Sequence, residues 1–117
     1  MDVQIFRGDI VRVRLDPTEG VEIGKSRPCL IVQNDFGNRV SPATIVAPIT
    51  DASHKQKVYP FQVFIPANEG GLSKDSLILC EQIRTVDKQR IVEKLGSLPY
   101  SRMREVDLAL KRSLGLY

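Results

Sequence analysis

The sequence predicts a small, strongly curved antiparallel sheet or barrel capped by a C-terminal helix. Three observations carry this. Short apolar runs recur along the chain, each bounded by Pro, Gly, Asn or Asp clusters, the pattern of strands joined by tight turns. Near the end the spacing changes to three and four residues over Met103, Val106, Leu110, Leu114 and Tyr117, one apolar helical stripe. No repeat, low-complexity segment or interior linker divides the 117 residues, so residues 1–117 read as one domain of ordinary size.

Residues 10–15 alternate, with Val11, Val13 and Leu15 on one face and Arg12 and Arg14 on the other. That predicts a half-buried strand with both arginines solvated. A turn-rich loop follows to Ser26, carrying Gly20, Gly24, Glu19, Glu22 and Lys25. The next strand, residues 29–32, is apolar throughout and so buried on both faces. Pro28 is expected at its first position, where a missing amide removes no ladder bond. Asn34 and Asp35 then build a hairpin turn, and residues 43–50 return as its partner strand, with Pro48 marking an edge or bulge.

Residues 51–57 are polar and basic and read as a surface loop or a single helical turn in which the lone His54 is solvated. A strand over residues 59–65 turns Phe61, Val63 and Ile65 inward, and Tyr59 packs at its start. Asn68-Glu69-Gly70-Gly71 is a reverse turn. The buried strand 76–80 ends on Glu81-Gln82. Residues 84–88 read as a tight turn, and 91–95 as a short strand. The helix has Pro99 in its first turn, where a missing donor costs nothing, and Arg102, Glu105 and Lys111 outside its stripe.

Composition narrows the function. The hydrophobic fraction is 42% and the charged fraction 26%, ordinary for a globular protein. No run reaches membrane-span length, and residues 1–4 have neither the basic flank nor the apolar core of a secretion signal. Cys29 and Cys80 both sit in apolar strands and read as small buried hydrophobes of a reducing compartment. A cytoplasmic location is the expectation. One histidine and no Cys-x-x-Cys spacing leave too few ligands for a zinc cage, and no cofactor is expected. The net charge of +3 divides as 17 basic against 14 acidic residues. That balance suits an anionic partner without demanding one, and any nucleic-acid contact must come from local placement.

One such placement is clear. Arg27 stands at the mouth of a rigid buried strand, and Thr50 ends the strand expected beside it. A planar guanidinium there can grip a phosphate or carboxylate, and a threonine hydroxyl can converge on the same anion.

These residues also carry a resemblance. Gly8-Asp9-Ile10-Val11, Arg27-Pro28-Cys29-Leu30-Ile31-Val32-Gln33-Asn34-Asp35, the strand ending Ile49-Thr50, Glu81-Gln82-Ile83-Arg84-Thr85-Val86-Asp87-Lys88 and the closing helix together resemble the MazF/PemK family of toxin endoribonucleases. The similarity spans essentially the whole chain in order. It implies an SH3-like barrel, a homodimer, and metal-independent, sequence-specific cleavage of single-stranded RNA. It also implies a MazE-like antitoxin whose acidic C-terminal tail covers the RNA groove. Carried over by position, the catalytic residues are Arg27 and Thr50, and the RNA contacts are Glu22, Ser76, Glu81 and Gln82.

The chemistry suits these residues. The RNA 2′-hydroxyl can attack its own phosphate, a route closed to DNA. Arg27 would stabilise the charge gathering on the phosphate oxygens and protonate the leaving oxygen, with Thr50 orienting the phosphate. Glu22 is a candidate to take the 2′-hydroxyl proton. The loop departs from the family's usual Ser-Glu-Gln and small residues: Ile23 replaces a glutamine and Lys25 is added. The competing readings on the same barrel are a CcdB-like inhibitor of DNA gyrase, which needs no Arg27–Thr50 pair, and an RNA-binding barrel without cleavage.

Overall fold

The computed structural model of the chain describes residues 4–52 and 57–116. Its elements are β1 (Asp9–Arg14), β2 (Ser26–Ile31), α1 (Asp35–Val40), β3 (Ala43–Asp51), β4 (Gln62–Ile65), β5 (Ser76–Leu79), β6 (Arg84–Asp87), β7 (Ile91–Ser97) and α2 (Tyr100–Leu114). Single 3-10 turns at Cys80–Gln82 and Lys88–Arg90 flank β6. The sheet is antiparallel throughout and runs β4-β5-β3-β2-β1-β7, with β6 also paired to β3. It is barrel-like but not closed.

Two prolines explain how β2 and β3 bend this sheet. Val32 donates its amide to Ile45 of β3 at 2.9 Å, so strand alternation aims position 28 toward β3 as well. The β2–β3 ladder begins only at Cys29↔Pro48, and Pro28 therefore removes no bond. It is the third residue of β2, not the first, because the pairing with β1 already starts at Ser26↔Arg14. Position 48 of β3 faces away from β2. There β3 leaves β6, its partner over residues 43–46, and takes up β5 over residues 49–51. A missing amide at that corner costs nothing, and the sheet folds over it.

Both faces of the sheet are covered. On one, Ile10, Leu30, Ala47, Ile49, Val63, Ile65 and Ile78 pack with Met103, Val106 and Ala109 of α2. On the other, Val11, Val13, Leu15, Cys29, Ile31, Val46, Val86 and Ile91 form a second cluster. Each fully buried aliphatic side chain contributes about 1.5–3 kcal/mol. Arg7 ties the far end of β2 to the helix, donating Nε to the Val32 carbonyl at 2.9 Å and pairing with Asp107 at 2.7 Å.

Several sequence expectations are corrected. Asn34 and Asp35 start helix α1 instead of a hairpin turn: the Asn34 side chain accepts the amide of Gly37 at 2.8 Å, an N-cap. Residues 84–87 are strand β6, because Val86 reaches the second cluster and the segment pairs with the first half of β3. The strand expected from residue 59 begins at Gln62, after Pro60, and Phe61 is only half-buried, stacked on Tyr59 at 5.5 Å. Cys80 leaves the strand for a 3-10 turn, β7 runs on to Ser97, and Pro99 is the N-cap of α2. Arg102 is not free on the solvent side; it clamps Glu69 at 2.6 and 3.3 Å. Leu114 is exposed. His54 and Tyr117 lie outside the described residues. Among the described residues no helix is long and apolar enough to cross a membrane.

The two cysteines are buried as expected. Burial pushes both thiols up to about 12; nearby Arg84 and Arg27 oppose the shift at Cys29, and Glu81 adds to it at Cys80. Folding therefore favours the protonated thiols. Their contribution is fully present below the ordinary thiol value of 9.0 and is lost as pH rises towards about 12, where the unfolded chain's thiols ionise first. Melting temperature should fall across that window, and a Cys29→Ala, Cys80→Ala double variant should show a shallower fall. Equal slopes would contradict this.

Candidate active site

The β1–β2 loop, the start of β2, the end of β3 and residues 71–76 enclose a cleft of about 450 Å³. Arg27 and Thr50 both line it. Their proximity follows from register: the β2–β3 ladder pairs Leu30↔Ala47 and Cys29↔Pro48, and Arg27 and Thr50 stand two residues beyond its last pair on the two strands. Thr50 is held on its other side by β5, opposite Leu77. Both side chains are half-buried.

Arg27 is positioned through the loop before it. Its Nε donates to the Gly24 carbonyl at 2.9 Å, which leaves the two terminal nitrogens for an anion. The preceding residue, Ile23, donates its amide to Gln82 Oε1 at 3.0 Å. Lys25 has φ of 65°, and its carbonyl accepts the amide of Leu15 at 2.8 Å. Gly24 packs so closely that a Cβ would lie 2.4 Å from Asp16 Oδ1. The loop is thus fixed at its two ends.

The cleft is cationic. Arg12, Lys25, Arg27 and Lys74 line it against one carboxylate, Asp51, which lies 3.7 Å from Lys74. Such an arrangement concentrates an anionic ligand and stabilises negative charge that develops in it.

Of the six residues singled out from sequence, Arg27, Thr50 and Ser76 line the cleft. Ser76 is buried, opposite Asp51 in the β3–β5 ladder, and donates Oγ to the Lys74 carbonyl at 2.7 Å. The other three do not line it. Glu22 is exposed on the loop and accepts the Glu19 amide at 2.6 Å. Glu81 is exposed and accepts from Gln62 at 2.6 Å. Gln82 serves the loop, as described. Arg12, Ser73 and Lys74 line the cleft without having been singled out for it. Among the described residues no group of three or more His, Cys, Asp or Glu side chains could hold a metal ion.

A curved antiparallel sheet with a capping helix thus carries a cationic cleft at its strand ends, an arrangement suited to an anionic ligand. The comparisons with known proteins narrow it. Residues 6–114 match the family described as PemK-like, MazF-like toxin of type II toxin–antitoxin system. The chain is 53% identical over 112 residues to the endoribonuclease MazF of Staphylococcus epidermidis, covering 96% of this chain and 92% of that protein. The crystal structure of MazF from Deinococcus radiodurans superposes with a TM-score of 0.81 at 30% identity, covering 97% of this chain and 99% of that one. A MazE–MazF structure from the same organism gives 0.76 at 30% identity over 99% and 100% of the two chains. The chain belongs to the PemK/MazF-like toxin family of type II toxin–antitoxin systems.

Proposed function

We propose that this toxin endoribonuclease cuts single-stranded RNA in the Arg27–Thr50 cleft, by attack of a 2′-hydroxyl on the adjacent phosphorus and without a metal ion. The observation that carries the proposal is the convergence of an arginine and a threonine, from the ends of two adjacent strands, in one cationic cleft. The new 2′-oxygen–phosphorus bond forms as the bond to the 5′-oxygen breaks. One proton leaves the 2′-oxygen and one reaches the 5′-oxygen, giving a 2′,3′-cyclic phosphate and a 5′-hydroxyl.

Arg27 acts on charge. A guanidinium stays protonated at working pH, and its free fork can pair with two phosphate oxygens as they gain negative charge. Thr50 donates to one more. The strand ends hold the phosphate in line, which removes part of the entropic barrier. Glu22, with its carboxylate engaged by the Glu19 amide outside the cleft, reaches a 2′-hydroxyl only if the loop closes over bound RNA.

The test is incubation of the protein with a long unstructured RNA in EDTA, followed by end-mapping. Discrete cuts bearing 5′-hydroxyl ends are expected. RNA left intact across many sequences would sink the proposal and favour a gyrase inhibitor or a binding-only barrel.

Gln82 gives a second test. Its acceptor holds Ile23, whose neighbour Gly24 holds Arg27. Losing one such hydrogen bond costs about 1 kcal/mol, so Gln82→Ala should slow saturated single-turnover cleavage several-fold. Gln82→Glu keeps the acceptor and should keep the rate, with only a raised KM. A Glu variant as slow as the Ala variant would instead assign the Gln82 amide to RNA.

The same cleft suits an acidic antitoxin tail, and the MazE–MazF neighbour supports an antitoxin partner for this chain. We also expect a homodimer in the cytoplasm, readable by light scattering at micromolar concentration.

A further inference from the structure

The segment from Gln82 to Arg90 holds the β1–β2 loop at both of its ends. At the returning end, Gln82 Oε1 accepts the Ile23 amide at 3.0 Å. At the outgoing end, two arginines meet three successive main-chain carbonyls. Arg84, the first residue of β6, donates Nη1 to the Leu15 carbonyl at 3.0 Å. Arg90, the last residue before β7, donates Nη1 to the Arg14 carbonyl at 3.0 Å and to the Asp16 carbonyl at 2.6 Å. Arg14 in turn donates to the Gln89 carbonyl at 2.9 Å. Arg84 and Arg90 are half-buried, and neither lines the cleft.

These bonds stand where the sheet stops. The β1–β7 ladder ends at Val13↔Ile91 and the β1–β2 ladder at Arg14↔Ser26, so the carbonyls of residues 14–16 take side-chain donors in place of ladder partners. The segment is itself anchored, because β6 pairs with β3 from Ala43↔Asp87 to Val46↔Arg84, and β3 also carries Thr50. From the loop stem the position passes directly to Arg27. Asp16 lies against Gly24, where a Cβ would stand 2.4 Å from Asp16 Oδ1 and 2.7 Å from Thr18 Oγ1. The Gly24 carbonyl accepts Arg27 Nε at 2.9 Å.

We infer that Arg90, seconded by Arg84, is a positioning residue for the Arg27–Thr50 site: it fixes the loop stem at Asp16, Asp16 fixes Gly24, and Gly24 aims the Arg27 guanidinium. The inference rests on the cleft being the cleavage site, and it gives Arg90 no contact with RNA. Arg90→Met keeps the apolar stem of the side chain and removes both donors. A displacement of about 1 Å at a reacting site can cost about 10² in rate. With Gln82 still holding the other end of the loop, Arg90→Met should slow saturated single-turnover cleavage about ten-fold.

The experiment is a double-mutant cycle on the mapped RNA, read as the saturated single-turnover rate beside a melting curve. Lysine at position 27 has no Nε for the Gly24 carbonyl. In an Arg27→Lys background, Arg90→Met should therefore change the rate by less than about two-fold, while its effect on melting temperature stays the same in both backgrounds. Both Arg90 bonds leave one nitrogen, and an ammonium has three donors to replace it. Arg90→Lys should thus restore most of the rate, whereas Arg27→Lys, which loses a fork, should not. Binding of an oligoribonucleotide made uncleavable by a 2′-deoxy residue at the cut should keep its salt dependence in Arg90→Met. Arg84→Met removes the third bond and should likewise lose its effect beside Arg27→Lys, so a failure of Arg90→Met to fold does not rescue the inference. In a parent that cuts RNA, three results overturn the positioning role alone: no rate loss, equal losses in both backgrounds, or a slope of log affinity against log salt shallower by about 0.7, the share of one phosphate. A parent that leaves RNA intact overturns the cleavage reading and this role with it.

Discussion

Arg27→Ala is expected to lower kcat about 10³-fold while the protein stays folded. Removing one preorganised donor from a site that stabilises developing negative charge costs about 10²–10³ in rate, and Arg27 offers two terminal nitrogens beyond the one fixed to Gly24. The structural cost is small by comparison. One half-buried hydrogen bond to a loop carbonyl is lost, about 1 kcal/mol, or roughly 5 °C in melting temperature for a domain of this size. Arg27→Lys keeps the charge but loses the planar fork, so it should recover binding and leave most of the rate loss. The measurement is single-turnover cleavage of the mapped RNA beside a melting curve. A variant that still cuts within ten-fold of the parent would move the chemistry away from Arg27. A variant with no cleavage that still arrests growth through gyrase would favour the CcdB-like reading.

The strand ends that form this site were legible because their rules are local. A proline before an apolar run, a run too short for a helix and a polar loop ahead of it locate β2, although its pairing with β1 starts two residues before the proline. Antiparallel pairing then brings Thr50 to Arg27 with no further information. What escaped depends on tertiary partners. The segment at Asn34 reads equally as a turn or as a cap, since the side-chain acceptor that caps α1 also builds turns, and six residues are too few to show a helical period. β6 carries Arg84, Thr85 and Asp87 around one apolar Val86; its strand state comes from the unpaired edge of β3, which no local pattern reports. Arg12 was assigned to solvent by alternation alone. Its face carries Ile10, which is fully buried, because α2 and the loop after Gly70 cover that side. The sequence predicts a capping helix without saying which strands it caps. Glu22, Glu81 and Gln82 came from resemblance; Glu22 and Gln82 bond within the β1–β2 loop and Glu81 bonds to Gln62, and none of them lines the cleft.

Gly71→Ala is expected to destabilise the chain by about 3 kcal/mol, a fall of roughly 15 °C in melting temperature. Two costs add. Gly71 has φ of 83°, where a side chain costs about 1–2 kcal/mol. Its Cβ would also stand 2.1 Å from the carbonyl oxygen of Leu95 and 2.6 Å from that carbonyl carbon. Backbone atoms cannot rotate away, so the loop must lift off β7. Gly96 across the contact is equally tight, with a Cβ 2.4 Å from the Gly70 carbonyl oxygen. Gly20 isolates the first cost: its φ is 57°, but a Cβ there would meet nothing within 4 Å. Gly20→Ala should therefore lose only about 1 kcal/mol, and the difference between the two variants is the price of backbone contact. Urea titration of both would measure it, and equal losses would show that the loop yields freely. The contact also shapes the site, because Gly71, Leu72, Ser73 and Lys74 form one wall of the cleft and Leu95 another. At a temperature where Gly71→Ala remains folded, the lifted loop should weaken RNA binding more than it slows the cleavage step, since Arg27 and Thr50 sit on strands that the glycine does not touch.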